Sequence, residues 1–136
     1  MSIQIKIEGL EEAIKKMSPD LYAEPLRRFW ERSSLSVENQ AKLNSPVDTG
    51  RTRASLTHQL DSGSPPIWAK VGTNVTNKGV SYPQVLDLSD RTHYRGGPHE
   101  GQPTKGWFSG SYGRVVSEVQ NWIGRMAEEI ADRWQK

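Results

Sequence analysis

Cysteine and long apolar runs are both absent from this sequence. Without cysteine the chain has no disulfide, no thiolate catalyst and no cysteine-ligated zinc site. No stretch approaches the ~18–20 consecutive apolar residues of a membrane-spanning helix, so we expect no membrane partner. The first residues hold no apolar run of signal-peptide length, which predicts a protein that stays in the cytoplasm or enters a particle assembled there.

Apolar residues are also few for a chain of 136 residues, since the hydrophobic share is 34% and the mean hydropathy is −0.73. This length fits one domain, spanning residues 1–136. A thin core can be completed by neighbouring subunits. The five tryptophans belong to a residue type that is enriched at interfaces. Composition therefore favours a small domain that assembles with other chains.

The charge is nearly balanced, with 18 basic and 16 acidic residues, a net charge of +2 and a pI of about 9.0. The two signs are interspersed along the chain. A dedicated nucleic-acid-binding protein would show a cationic stripe. We therefore do not expect specific binding of DNA or RNA from composition alone.

Motifs for catalysis and for phosphate binding are missing as well. His93 and His99 share a segment with Asp90 and Glu100, but their spacing is not that of a helical metal-binding pair. His58 falls on the apolar side of a predicted strand, where a hydrogen-bonded structural histidine is expected. We expect no enzyme activity, no metal and no cofactor, and a hydrolase that uses His93 and Glu100 is a remote alternative.

The spacing of apolar residues predicts several helices and strands. A helix over 24–43 would place Pro25 in its first turn, where the missing N–H costs nothing. The strands over 52–60 and 67–71 are expected to pair antiparallel. The full prediction is a strand over 3–7, a helix over 10–17, a helix over 24–43, strands over 52–60 and 67–71, an edge strand or helical turn within 80–88, and a helix over 111–134.

Residues 89–110 form the most irregular stretch, with five glycines and two prolines. Long segments without regular structure are uncommon in compact domains and are usually functional or disordered. Basic and aromatic side chains are mixed here, which is the pattern of a surface that binds a nucleic-acid backbone and stacks on bases. A nucleic-acid-binding module that uses the 91–108 loop is therefore the alternative function, although nearby acidic residues almost cancel the charge.

A family resemblance is carried mainly by residues 41–56, in which residues 45–50 read Ser-Pro-Val-Asp-Thr-Gly. This stretch resembles the signature of the tail-completion and head–tail joining (neck) proteins of long-tailed bacteriophages and prophages. Four other segments resemble parts of that family in the same order. They are the Gly-Leu-Glu-Glu-Ala at 9–13, the strand at 69–74, the tyrosine segment at 82–87, and Trp107-Phe108 before the closing helix.

The resemblance implies an α+β fold, in which a small curved antiparallel sheet packs with a long central helix and a C-terminal helix. It implies a structural virion subunit that joins the connector to the tail tube as part of a homo-oligomeric ring, made in the host cytoplasm. DNA would pass nearby without specific binding. In that setting Arg51 and Arg53 would mark the start of the first long strand and pair with acidic groups across an interface. The residues expected at interfaces are Arg51, Arg53, Trp68, Arg91, Tyr94, Arg95, Trp107 and Phe108.

Overall fold

Two long helices and a small sheet make up the computed structural model of this chain. The structure describes residues 1–45, 51–63, 65–73, 84, 87 and 106–135. The elements are β1 (Ser2–Lys6), α1 (Leu10–Ile14), α2 (Pro19–Asn44), α3 (Arg51–Ser55), β2 (Thr57–Leu60), β3 (Trp68–Gly72) and α4 (Ser111–Trp134). This architecture confirms the predicted α+β class, with an antiparallel sheet, a long central helix and a C-terminal helix.

The sheet has three antiparallel strands in the order β1-β3-β2, so β3 is the central strand. Pairing of β2 with β3 confirms the sequence prediction. Ala69 and Val71 of β3 are fully buried, and the register places Ile5 and Ile3 of β1 opposite them. Strict alternation puts these side chains on one face of the sheet, and that face packs on α2.

The central helix α2 begins at Pro19, so the predicted start near residue 24 is wrong. Pro19, and not Pro25, occupies the first turn of this helix. Pro25 therefore lies inside the helix, where it cannot donate to the carbonyl of Leu21. Pro25 is buried, and together with Trp122 and Met126 of α4 it borders a small pocket between the two long helices. Tertiary packing thus offsets the lost hydrogen bond.

The main core lies where α2 packs on the sheet and on α4. Trp30 of α2 is completely buried, and its indole Nε1–H donates to the carbonyl oxygen of Pro66 at 2.8 Å. Val115, Val119 and Met126 of α4 face this core. The bounds of α4 match the predicted helix over 111–134, because its apolar residues recur at helical spacing over its whole length.

The predicted strand over 52–60 is wrong in its first half, because residues Arg51–Ser55 form the short helix α3. The chain becomes extended only at Thr57, after Leu56 donates its N–H to the carbonyl of Arg53. Arginine and alanine are good helix formers, and this turn buries Leu56. Arg51 and Arg53 therefore lie on a helix and not at the start of a strand.

Other differences are smaller. The first helix ends at Ile14, earlier than predicted. Within 80–88, Gln84 and Asp87 are helical, which favours the helical-turn alternative over the edge strand. Of the segment 89–110, residues 106–110 form a turn before α4, and residues 89–105 lie outside the described part of the chain.

Candidate assembly surface

Trp107 and Phe108, two residues expected at an interface, are buried inside the subunit, with exposures of 4% and 2%. Their rings meet edge to face, with centroids 5.6 Å apart. They pack with Ala41 of α2 and with Leu56, and these four residues form a second, smaller core. The aromatic pair therefore stabilises the fold of the subunit and is not exposed to a partner.

Asp87 holds the turn that carries this aromatic pair. Its carboxylate Oδ1 accepts the backbone N–H of Phe108 at 2.8 Å and that of Ser109 at 2.9 Å. The Ser109 hydroxyl adds a longer bond of 3.3 Å to the same oxygen. The backbone carbonyl of Asp87 accepts from Gly106 N–H at 2.8 Å. Because Asp87 is only 7% exposed, its carboxylate depends on these donors to compensate for lost hydration.

The residues Ser45 and Arg53, on either side of segment 46–50, are bonded to each other. Ser45 ends α2, and its hydroxyl donates to the carbonyl of Lys42 at 3.0 Å. Arg53 of α3 donates from Nε to the Ser45 hydroxyl at 3.3 Å. Arg53, which the resemblance places at an interface, thus donates a hydrogen bond within the subunit. Residues 46–50 themselves lie outside the described residues.

Trp68 is half-buried on the face of the sheet that points away from α2. The ammonium of Lys70 lies 4.8 Å from the centroid of the Trp68 ring, within cation–π distance. Trp68 also borders a groove of about 470 Å³, with Lys6 of β1 and Leu10 of α1 on its other sides. Trp68 is therefore partly exposed, and its role at an interface stays a prediction.

The remaining interface predictions fall outside what the structure describes. Arg51 is the first residue of α3, but its side chain is not among the described groups. Arg91, Tyr94 and Arg95 lie within the segment 88–105, which is also outside the described residues.

A buried carboxylate lies between α2 and β2. Glu38 is 6% exposed, and its Oε2 is 3.0 Å from Nδ1 of His58. Its other oxygen is 3.7 Å from the ammonium of Lys42, one helical turn away. His58 is thus a hydrogen-bonded structural histidine, as the sequence predicted. Sequence reasoning did not predict the role of Glu38, because a charged residue on a long helix is ordinarily exposed to solvent.

Three large apolar side chains are exposed among the described residues: Leu35 at 45%, Leu43 at 70% and Trp134 at 61%. Leu35 and Leu43 border a groove of about 380 Å³ between α2 and α4. Trp134 recurs at helical spacing with the apolar residues of α4, which favours burial, but it is the last residue of that helix and is exposed. The sequence does carry a signal for the exposure of Leu35 and Leu43. The two leucines lie two helical turns apart, and neither lies on the apolar stripe of α2.

Within the described residues, no group of three or more metal-binding side chains comes together. Residues 90–100, which contain His93, His99 and Glu100, are not among them. No helix in the described part of the chain is long and apolar enough to cross a membrane.

The fold and these surfaces define an α+β protein with a second small core around Trp107 and with apolar side chains exposed on both long helices. Comparison of the chain with known protein families, with curated proteins and with solved structures found no match.

Proposed function

We propose that this chain is a structural subunit of a bacteriophage head–tail junction, which joins the connector to the tail tube as one member of a ring. In this role it would have no catalytic site. Its partners would be further copies of itself together with the connector and tail-tube proteins, and its location would be the virion. The proposal starts from the sequence resemblance at residues 41–56 and in four further segments.

One structural observation supports the proposal most: four of the five segments of the resemblance, all but 9–13, meet in space. Ala41 and Leu56, at the two ends of the main signature, pack directly on Trp107 and Phe108. Asp87, the last residue of the tyrosine segment, binds the backbone of Phe108. A set of short motifs that matched by chance would have no reason to converge on one small core.

The middle strand joins the same region. The Ser55 hydroxyl, next to Leu56 in the signature, lies 2.5 Å from the hydroxyl of Thr73 at the end of β3. Thr73 in turn donates its N–H to the carbonyl of Met1. The residues of the signature therefore link α2, the turn that carries Trp107 and Phe108, and the sheet. Contacts of this kind stabilise a fold and need no ligand.

The alternative, a nucleic-acid-binding module in the 91–108 loop, is weakened by one observation. Trp107 and Phe108 are buried in this conformation, so neither ring is available for stacking on a base. The alternative would then depend on the remaining basic and aromatic residues of the segment, which are Arg91, His93, Tyr94, Arg95 and Lys105.

The proposal is tested by native mass spectrometry and electron microscopy of the chain, alone and mixed with connector and tail-tube proteins. We expect rings, or a free monomer that joins tails or connectors when they are added. A strict monomer that never joins either partner would contradict the proposal. Arg51→Glu should weaken joining, whereas the matched change Lys16→Glu, at an exposed position on the segment before α2, should not.

The same preparations discriminate the nucleic-acid alternative. That alternative predicts binding to DNA that weakens steeply with salt and is lost when Arg91→Ala and Arg95→Ala are combined. DNA binding of this kind without any joining of tails would replace the structural proposal.

A further inference from the structure

The outer face of α4 is a row of exposed residues at alternating spacings of four and three. Its members are Gly113, Ser117, Gln120, Gly124, Ala127 and Ala131. We propose that this face binds the same face of a second copy, with the two helices antiparallel and related by a two-fold axis. The inference goes beyond the proposed function and does not rest on it.

This face lies opposite the core. Val115 and Met126 of α4 are buried in the main core, and at 3.6 residues per turn they lie about 160–180° around the helix axis from Gly124. Alternating spacings of four and three residues are the repeat by which two helices pack along their whole length. The exposed outer face therefore has the geometry of a helix–helix contact.

The charges on one flank of the outer face select the partner and its direction. Arg114, Asn121 and Glu128 follow one another there at intervals of seven residues, and all three are exposed. In an antiparallel pair centred beside Asn121, Arg114 of each copy comes opposite Glu128 of the other, and the two Asn121 amides meet. Residues at these flanking positions form the salt bridges between packed helices. A parallel pair would instead place each charge opposite the same charge.

The next two charged residues on this flank have the same order. Glu118 and Arg125 lie farther from the outer face, three residues before and four residues after Asn121, so in the antiparallel pair a glutamate again lies level with an arginine. Within the described part of the chain, Arg114, Glu118, Arg125 and Glu128 are in no ion pair. Complementary charges of this kind fix the orientation and register of a contact, and here the complement is the same helix reversed.

The other flank of the outer face is apolar. Val116, Ile123 and Ile130 also recur every seven residues and are half-buried, and the two isoleucines pack against the main core. In the same antiparallel register Ile123 meets Ile123 of the second copy, and Val116 meets Ile130. Trp134, which is 61% exposed, continues this flank and comes level with the first turn of the second helix. The contact thus buries apolar surface that is continuous with the core of each subunit.

Packing inside the subunit does not require the glycines of the outer face. A Cβ added at Gly113 or Gly124 would meet no described atom within 4 Å, and glycine within a helix is less stable than alanine. In the antiparallel pair Gln120, a long side chain in the middle of the face, comes opposite Gly124 of the second copy. The missing side chain leaves room for the glutamine. Because the contact involves one helix from each copy, we expect a weak and reversible dimer.

Charge reversal tests the register. Arg114→Glu changes two ion pairs at once, because the contact is two-fold, and places glutamate opposite glutamate. Dimerisation measured by sedimentation at low salt should weaken about tenfold or more. Adding Glu128→Arg to the same chain restores both pairs with their signs exchanged, so affinity should return to within about twofold of wild type. Circular dichroism should show the same fold in all variants, since both residues are exposed.

The matched control is Arg27→Glu, which reverses an exposed arginine of α2 away from the outer face and should leave dimerisation unchanged. A wild-type chain that stays monomeric at the highest soluble concentration would overturn the contact. Weakening by Arg114→Glu that the second substitution does not restore would also overturn it, because the two residues would then not face each other.

Cross-linking gives a second readout, since the chain has no native cysteine. With a short bis-maleimide linker, Asn121→Cys should link to itself, because this position lies beside the two-fold axis. Two copies of position 114 lie about 20 Å apart along the helices, at 1.5 Å per residue. Arg114→Cys and Glu128→Cys should therefore link little when treated alone and strongly when the two preparations are mixed.

Lys16→Cys, exposed on the segment before α2, measures linking by random collision. Self-linking of Asn121→Cys no stronger than in this control would refute the contact. Self-linking of Arg114→Cys as strong as that of the mixture would refute it too, since that result indicates parallel helices. Rings or joined tails that form without these links would refute the contact and leave the proposed function standing.

Discussion

The carboxylate of Asp87 is the point at which the second core is most sensitive to a single substitution. We expect Asp87→Ala to leave two backbone N–H groups, those of Phe108 and Ser109, without their acceptor. A hydrogen bond to a charged group contributes about 1.5–3 kcal/mol, and the Phe108 donor is buried. The expected loss in the free energy of unfolding is therefore about 3–5 kcal/mol. This is a large part of the total stability of about 5–15 kcal/mol that a domain usually has.

Two matched variants separate the causes. Asp87→Asn keeps an acceptor oxygen in place and removes only the charge, so it should cost about 1–2 kcal/mol. Ser109→Ala removes only the bond of 3.3 Å from the Ser109 hydroxyl and should cost less than about 1 kcal/mol. The expected order of stability is wild type, then Ser109→Ala, then Asp87→Asn, then Asp87→Ala.

Thermal unfolding followed by circular dichroism measures these differences, and the Asp87→Ala midpoint should fall by roughly 10–15 °C. Amide hydrogen exchange gives the local readout, because the N–H groups of Phe108 and Ser109 should lose protection first. If Asp87→Ala and Asp87→Asn were both within about 0.5 kcal/mol of wild type, the carboxylate would not be what holds the aromatic turn, and the reasoning would fail.

Four further substitutions test the fold. Trp30→Phe removes the indole N–H that binds a backbone carbonyl at 2.8 Å in a fully buried site, and urea unfolding should show a loss of about 2–3 kcal/mol. His58→Ala removes the imidazole that lies 3.0 Å from the buried Glu38 carboxylate. It should lower the free energy of unfolding by about 1–2 kcal/mol in the same assay, whereas no change would mean that the two side chains are not coupled. Gly72→Ala would bring a Cβ into the carbonyl oxygen of the first residue, so we expect a loss of about 1–3 kcal/mol and weaker protection of β1 amides. Gly124→Ala meets open space and should instead stabilise the isolated subunit by up to about 1 kcal/mol.

Local patterns in the sequence were sufficient for much of the fold. The helix over 111–134 and the alternation in β1 and β3 were predicted because each buries one continuous stripe, which appears directly as periodicity. The start of α2 was missed because two prolines compete for one first-turn position. Only packing of the Pro25 ring against α4 decides that the internal proline is tolerated.

The strand over 52–60 failed for a related reason. Alternation over a few residues does not separate a strand from a short helical turn followed by a strand, and here burial of Leu56 favours the turn. Local patterns do not predict contacts between residues that are far apart in the sequence. The carboxylate of Asp87 binds a backbone group 21 positions later, and Glu38 meets a histidine 20 positions later. Neither pair carries a signal in the spacing of the residues.

The backbone bond between Asp87 and Gly106, at 2.8 Å, joins the two residues that flank segment 88–105. The two ends of this segment are therefore held close together whatever its length. Doubling the length of such a segment changes the entropy of closing it by only about 0.6 kcal/mol. A change in the length of segment 88–105 should therefore add little to the entropic cost of holding Asp87 and Gly106 together.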